Sequence, residues 1–142
     1  MRVRYLSLLS LLVPAFFLLS GCATVEAQQS RSAGNAKRWS DAATWPDRKV
    51  PGQGAEVTIA KDMNVLLDVS PPALRSLTIE GKLSFANNRD LELTTEWIML
   101  HGELHIGSAA TPHTRKATMT FTNDVPGEDI GSMGDRGIMI MG

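Results

Sequence analysis

Two stretches of this sequence carry the same pattern, Leu77 to Phe85 (LTIEGKLSF) and Ile98 to Ile106 (IMLHGELHI). Each reads apolar-x-apolar-x-Gly-x-Leu-x-apolar, and the matched positions are offset by 21 residues. Strict alternation marks a strand with one buried face. A period this short describes rungs, each too small to bury its apolar side alone and therefore stacked on its neighbours. Apolar pairs that open each rung extend the series as Val57/Ile59, Leu77/Ile79, Ile98/Leu100, Met119/Phe121 and Ile138/Ile140, in steps of 20, 21, 21 and 19 residues. The spacing predicts five rungs, stacked at about 4.8 Å.

Within a rung, Leu83/Phe85 and Leu91/Leu93 follow Leu77/Ile79, with Gly81 at the first junction and Asn87-Asn88-Arg89-Asp90 at the second. Glycine permits a tight corner, and asparagine tolerates left-handed backbone. Pro71-Pro72 marks another corner, because proline cannot donate to a ladder. Three strands per rung predict an all-β chain, a right-handed parallel β-helix by the handedness of parallel crossovers, with a small β-sandwich of hairpins as the alternative. No 3.6-residue stripe supports helices.

The first 21 residues belong to export. Arg2 and Arg4 precede an apolar run from Tyr5 to Leu19, and Ser20-Gly21 follows, which is the layout of a signal peptide. Leu19-Ser20-Gly21-Cys22 resembles the lipobox of bacterial lipoproteins, which implies that Cys22 is lipidated and the mature chain is tethered to a membrane, since several acyl chains give stable anchoring. Cys22 is the sole cysteine, so no disulfide forms within the chain. Ala23 after the cysteine implies the outer membrane if the source is Gram-negative. Residues 22–38 lack apolar periodicity and read as a flexible spacer.

Removing residues 1–21 takes two of the 14 Lys and Arg and none of the 15 Asp and Glu, a mature charge of 12 − 15 = −3. Lys37-Arg38 and Arg115-Lys116 are only dipeptides, far short of the basic stripe that a nucleic-acid binder needs. Residues 39–142 form one small domain. It opens with Trp39 and Trp45, six apart among turn-forming residues. These two either close the first rung as a hydrophobic lid, the first reading, or stack on sugar rings.

Other candidates are polar. His101, Glu103 and His105 share parity and are expected on one outer face; on a straight strand the outer pair would lie ~13 Å apart, too far to share a metal unless Gly102 bends the chain. His113 lies on a polar excursion, residues 107–116. A second excursion, residues 123–136, is acidic and glycine-rich: Asp124, Glu128, Asp129 and Asp135, with Arg136 alongside. Such carboxylates can bind calcium or serve as the acid and base of polysaccharide cleavage, but Asp-x-x-x-Glu-Asp matches no calcium loop. No metal or other cofactor is assigned.

From Trp39 to Gly142 the sequence resembles the eight-glycine ("G-eight") domain of secreted and cell-surface proteins. The resemblance rests on Trp39-Ser40 with Thr44-Trp45-Pro46, Val50-Pro51-x-x-Gly54-x-x-Val57-x-Ile59, Val65-Leu66-Leu67-Asp68, Leu77-x-Ile79-x-Gly81-x-Leu83 and Ile98-x-Leu100-x-Gly102-x-Leu104-x-Ile106-Gly107. It implies an all-β fold associated with a parallel β-helix and a role with extracellular polysaccharide such as hyaluronan. It supplies no catalytic residue. The expected function is a lipid-anchored module that binds or presents a polysaccharide, with Trp39, Trp45, His101, Glu103, His105, Asp135 and Arg136 as ligand-binding candidates. The alternatives are the N-terminal part of a glycan-cleaving hydrolase or lyase, and a structural or adhesion element. The strand pattern of residues 137–142 runs to the last residue, and truncation at the C-terminal end is expected.

Overall fold

The computed structural model describes residues 36–141. The signal segment, Cys22 and Gly142 lie outside the described residues. The described chain is all-β apart from one turn of 3-10 helix, Ala42–Thr44. Its strands are β1 (Lys37–Arg38), β2 (Glu56–Ile59), β3 (Asn64–Leu67), β4 (Leu74–Ile79), β5 (Lys82–Phe85), β6 (Leu91–Leu100), β7 (Glu103–His105), β8 (Ala117–Phe121) and β9 (Gly137–Ile140).

Successive strands from β1 to β8 alternate between two sheets. One has the order β1-β3-β5-β7, the other β2-β4-β6-β8, with β9 also on β6. Every pairing is parallel. The register follows the repeat: Val57 sits beside Leu77 and Leu77 beside Ile98, while Val65 sits beside Leu83 and Leu83 beside Leu104. Val57, Ile59, Val65, Leu67, Leu77, Ile79, Leu83, Phe85 and Ile98 are buried in one cluster fed by both sheets, each contributing roughly 1.5 to 3 kcal/mol of burial.

Gly81 and Gly102 stand where the chain passes from one sheet to the other, and space is what demands them. A Cβ on Gly81 would lie 2.1 Å from the Ala60 carbonyl oxygen, and one on Gly102 would lie 2.0 Å from that of Gly81. Stacked corners approach backbone to backbone, and the Glu103 N–H donates to the Gly81 carbonyl at 2.8 Å.

Two parts of the expected ladder need correction. Leu91/Leu93 and Ile98/Leu100 do not belong to separate strands: β6 runs unbroken through both. Met119/Phe121 and Ile138/Ile140 are not successive rungs either. β8 lies along the first half of β6, Met119 beside Leu93 and Phe121 beside Thr95, and β9 along the second half, Ile138 beside Ile98. They occupy one level, split by residues 122–136. The spacer also ends earlier than Arg38, since Lys37 and Arg38 pair with Val65 and Leu66; both side chains are exposed, so no apolar alternation announces the strand.

The connector from β1 to β2 joins the first strands of both sheets. Within it Trp39 is 0% exposed and Trp45 6%, with ring centroids 4.8 Å apart at 73°, an edge-to-face contact that aromatic quadrupoles favour. The Trp45 Nε1–H donates to the Trp39 carbonyl at 2.9 Å. Ser40 fastens the connector to the end of β3, its N–H and hydroxyl donating to the Asp68 carboxylate at 3.0 and 2.6 Å. Burial pushes the Asp68 carboxyl up, but these bonds outweigh it and hold the group below its usual value.

Candidate functional site

The glycine corner builds a polar shelf. Lys82 opens β5 and Glu103 opens β7, directly beside each other in the parallel register, with Lys82 Nζ 3.3 Å from Glu103 Oε2. His105, next but one along β7, places Nε2 3.0 Å from the same oxygen. The Lys82 ammonium, by hydrogen bond and charge, and then the His105 ring hold the Glu103 carboxyl below its usual range. A carboxylate kept ionised accepts hydrogen bonds from hydroxyls; it is poorly suited to donate a proton near neutral pH. Beside it runs a groove of about 300 Å³ lined by Lys61, Asp62, Asn64, Glu80, Lys82 and Glu103.

Of the expected trio, Glu103 and His105 meet on one strand. His101 does not join them there: β6 ends at Leu100, and His101 and Gly102 form the bend into the other sheet. No three His, Cys, Asp or Glu side chains gather as a metal site among the described residues.

A second polar centre underlies the acidic excursion. Glu96, in the middle of β6, is 1% exposed. Its Oε1 accepts the N–H of Asp124 at 2.7 Å and of Val125 at 2.9 Å, and Arg75 of β4 pairs with it and with Glu128. The excursion leaves and rejoins the ladder around Glu96, since Phe121 lies beside Thr95 and Gly137 beside Trp97. Sequence reasoning missed Glu96 and Arg75. A signal existed: Leu91/Leu93 and Ile98/Leu100 have opposite parity with no turn residue between them, so the strand must break its alternation near Glu96.

The remaining candidates are dispersed. Arg136 Nε donates to its neighbour Asp135 at 3.4 Å. Asp129 accepts the Gly134 N–H at 3.1 Å, and Asp124 the Thr122 hydroxyl at 3.3 Å, so these carboxylates shape the loop. On the first excursion, Asn87 accepts the Thr114 N–H at 2.8 Å and donates to the Pro112 carbonyl at 3.1 Å, which fixes the backbone on either side of His113. Trp39 is fully buried and presents no ring face for a sugar, so stacking there is ruled out. Trp45, also buried, lines a groove described below.

Comparison with known proteins places the fold in context. The model of the G8 domain matches residues 44–142. Human fibrocystin-L is 35% identical over 85 residues, 58% of this chain and 2% of that protein. Mouse fibrocystin is 37% identical over 92 residues, 63% of this chain and 2% of its own length. A Dictyostelium discoideum protein is 33% identical over 94 residues, 8% of its length. The chain thus spans a small part of these relatives. No solved structure matches it.

Proposed function

Because the chain belongs to the G8 domain family, we propose that it is an exported, lipid-anchored module, a right-handed parallel β-helix, that binds or presents a polysaccharide. The observation that carries the ligand reading is the shelf of Lys82, Glu103 and His105 beside the glycine-corner groove. Stacked parallel strands set its side chains at rung spacing along one face, and an extended polymer with hydroxyl, amide and carboxylate groups meets donors and acceptors there. The cation suits an acidic glycan such as hyaluronan. Anchoring through Cys22, in the outer membrane of a Gram-negative source, rests on Leu19-Ser20-Gly21-Cys22.

The test is retention of the full chain on immobilised hyaluronan and on a neutral glucan. Lys82→Ala and Glu103→Gln are each expected to weaken hyaluronan binding by roughly tenfold, about 1.4 kcal/mol. Equal binding by wild type and both variants, or none by wild type, overturns the reading. Shortening of the polymer during incubation would assign cleavage instead. Cys22→Ser is expected to release the chain from the membrane fraction.

A further inference from the structure

We infer that the free edge of β2 is a docking groove for an extended peptide of another protein. β2 is the first strand of its sheet, and among the described residues no strand lies on its outer side. Which main-chain groups that leaves open follows from the bonds to β4. The Ala55 carbonyl accepts the Arg75 N–H at 3.0 Å, and the Ile59 carbonyl accepts the Glu80 N–H at 2.9 Å. Residues 55, 57 and 59 therefore face β4, and by alternation the N–H and C=O groups of Glu56 and Thr58 point the other way.

They point into a space built to receive a chain. A groove of about 470 Å³ is lined by the consecutive residues Ala55, Glu56, Val57 and Thr58. Side chains along a strand alternate between faces, so four consecutive residues line one groove only if it runs along the backbone edge. The rest of the lining includes Trp45, Pro46, Lys49, Val50 and Gln53. Edge strands exposed in this way are usually blunted. Here the edge is walled but left open.

The occupant is set by that chemistry. Two free N–H/C=O pairs at i and i+2 match the main chain of an extended peptide, the geometry of strand addition. Trp45, Pro46 and Val50 suit alternate apolar side chains. Asp47 and Glu56 outnumber Lys49 among the charges in the lining, so a basic residue opposite Glu56 complements the rim. The inference is independent of the polysaccharide reading, whose shelf lies at the glycine corner.

The experiment follows backbone amide exchange by NMR in the full chain, with and without an acetylated, amidated heptapeptide of alternating valine and lysine. The free chain is expected to exchange Glu56 and Thr58 fast and Val57 and Ile59 slowly, and the peptide is expected to protect Glu56 and Thr58. Methylating alternate peptide nitrogens should weaken binding by roughly tenfold or more, the loss of one or two hydrogen bonds. Thr58→Pro, which removes an edge N–H that β4 does not use, should do the same with an unchanged unfolding midpoint, and Glu56→Lys should weaken the lysine peptide selectively. If Thr58→Pro does not fold, the methylated peptide still decides. Unchanged exchange at Glu56 and Thr58, indifference to methylation, or protection of these amides by chain dimerisation or by hyaluronan oligosaccharides in place of the peptide overturns the inference.

Discussion

The carboxylate of Glu96 accepts the backbone N–H of Asp124 at 2.7 Å, and through it a fully buried charge in the ladder holds an exposed loop in place. Burying a carboxylate is costly unless its oxygens are satisfied, and here Asp124, Val125 and Arg75 satisfy them. No side chain of residues 122–136 belongs to the core cluster. Glu96→Ala should therefore cost about 3 kcal/mol, because Arg75 and two N–H groups lose their partner. Glu96→Gln, which keeps an acceptor, should cost about half as much. Urea unfolding measures the loss, and limited proteolysis should show faster cleavage within residues 122–136 in both variants.

The corner glycines give a sharper contrast. Gly102→Ala would drive a Cβ against the carbonyl oxygens of Gly81 and Glu80, at 2.0 and 2.4 Å. Both are backbone atoms and neither can swing aside, so a loss of about 3 kcal/mol is expected, the upper range for overpacking. Gly52→Ala meets nothing within 4 Å and should change stability by less than about 0.5 kcal/mol. Urea midpoints of the two variants, compared with the parent chain, check this.

Trp45→Phe keeps most of the ring contact with Trp39 but removes the Nε1–H that satisfies the Trp39 carbonyl. An orphaned buried acceptor costs roughly 1 to 3 kcal/mol. For a domain of this size, 1 kcal/mol lowers Tm by about 4 to 8 °C, so a drop of at least that size is expected in calorimetry. A shift within error would mean that water replaces the donor.

At the shelf, the prediction concerns titration. The Lys82 hydrogen bond and charge are the larger cause holding Glu103 low, with His105 second. Lys82→Met should move the Glu103 midpoint up toward the ordinary carboxylate range, and His105→Ala should move it by less. Carboxyl chemical shifts followed by NMR across the acidic range read both. Because Glu103 is an exposed side chain, the shift should shrink as salt is added.

Alternation made the regular part of the fold readable. Val57, Ile59, Leu77, Ile79 and Ile98 could be stacked from spacing alone, because side chains on one strand face must repeat every second residue and rungs of equal length keep register. Gly81 and Gly102 were readable as corners, although their reason is contact between stacked backbones. Spacing failed beyond β7, where residues 122–136 split one level into β8 and β9 and a count along the chain mistook the split for another rung. Glu96 was illegible for a different reason. A glutamate next to Thr94 and Thr95 in a strand looks like a solvent-facing residue, and its burial depends on a loop that arrives 28 residues later. His101 and Glu103 were placed on one face because parity is readable and the turn between two sheets is not.

The loop that Glu96 clasps departs after Phe121 and returns at Gly137, against neighbours only two residues apart on β6, Thr95 and Trp97. The ladder's geometry therefore depends on where the segment's ends sit and not on how many residues lie between them, since lengthening a loop whose ends are already fixed costs only about 0.6 kcal/mol per doubling. This level of the fold is a port. Segments of very different length and composition can be carried there while the strands on either side keep their register.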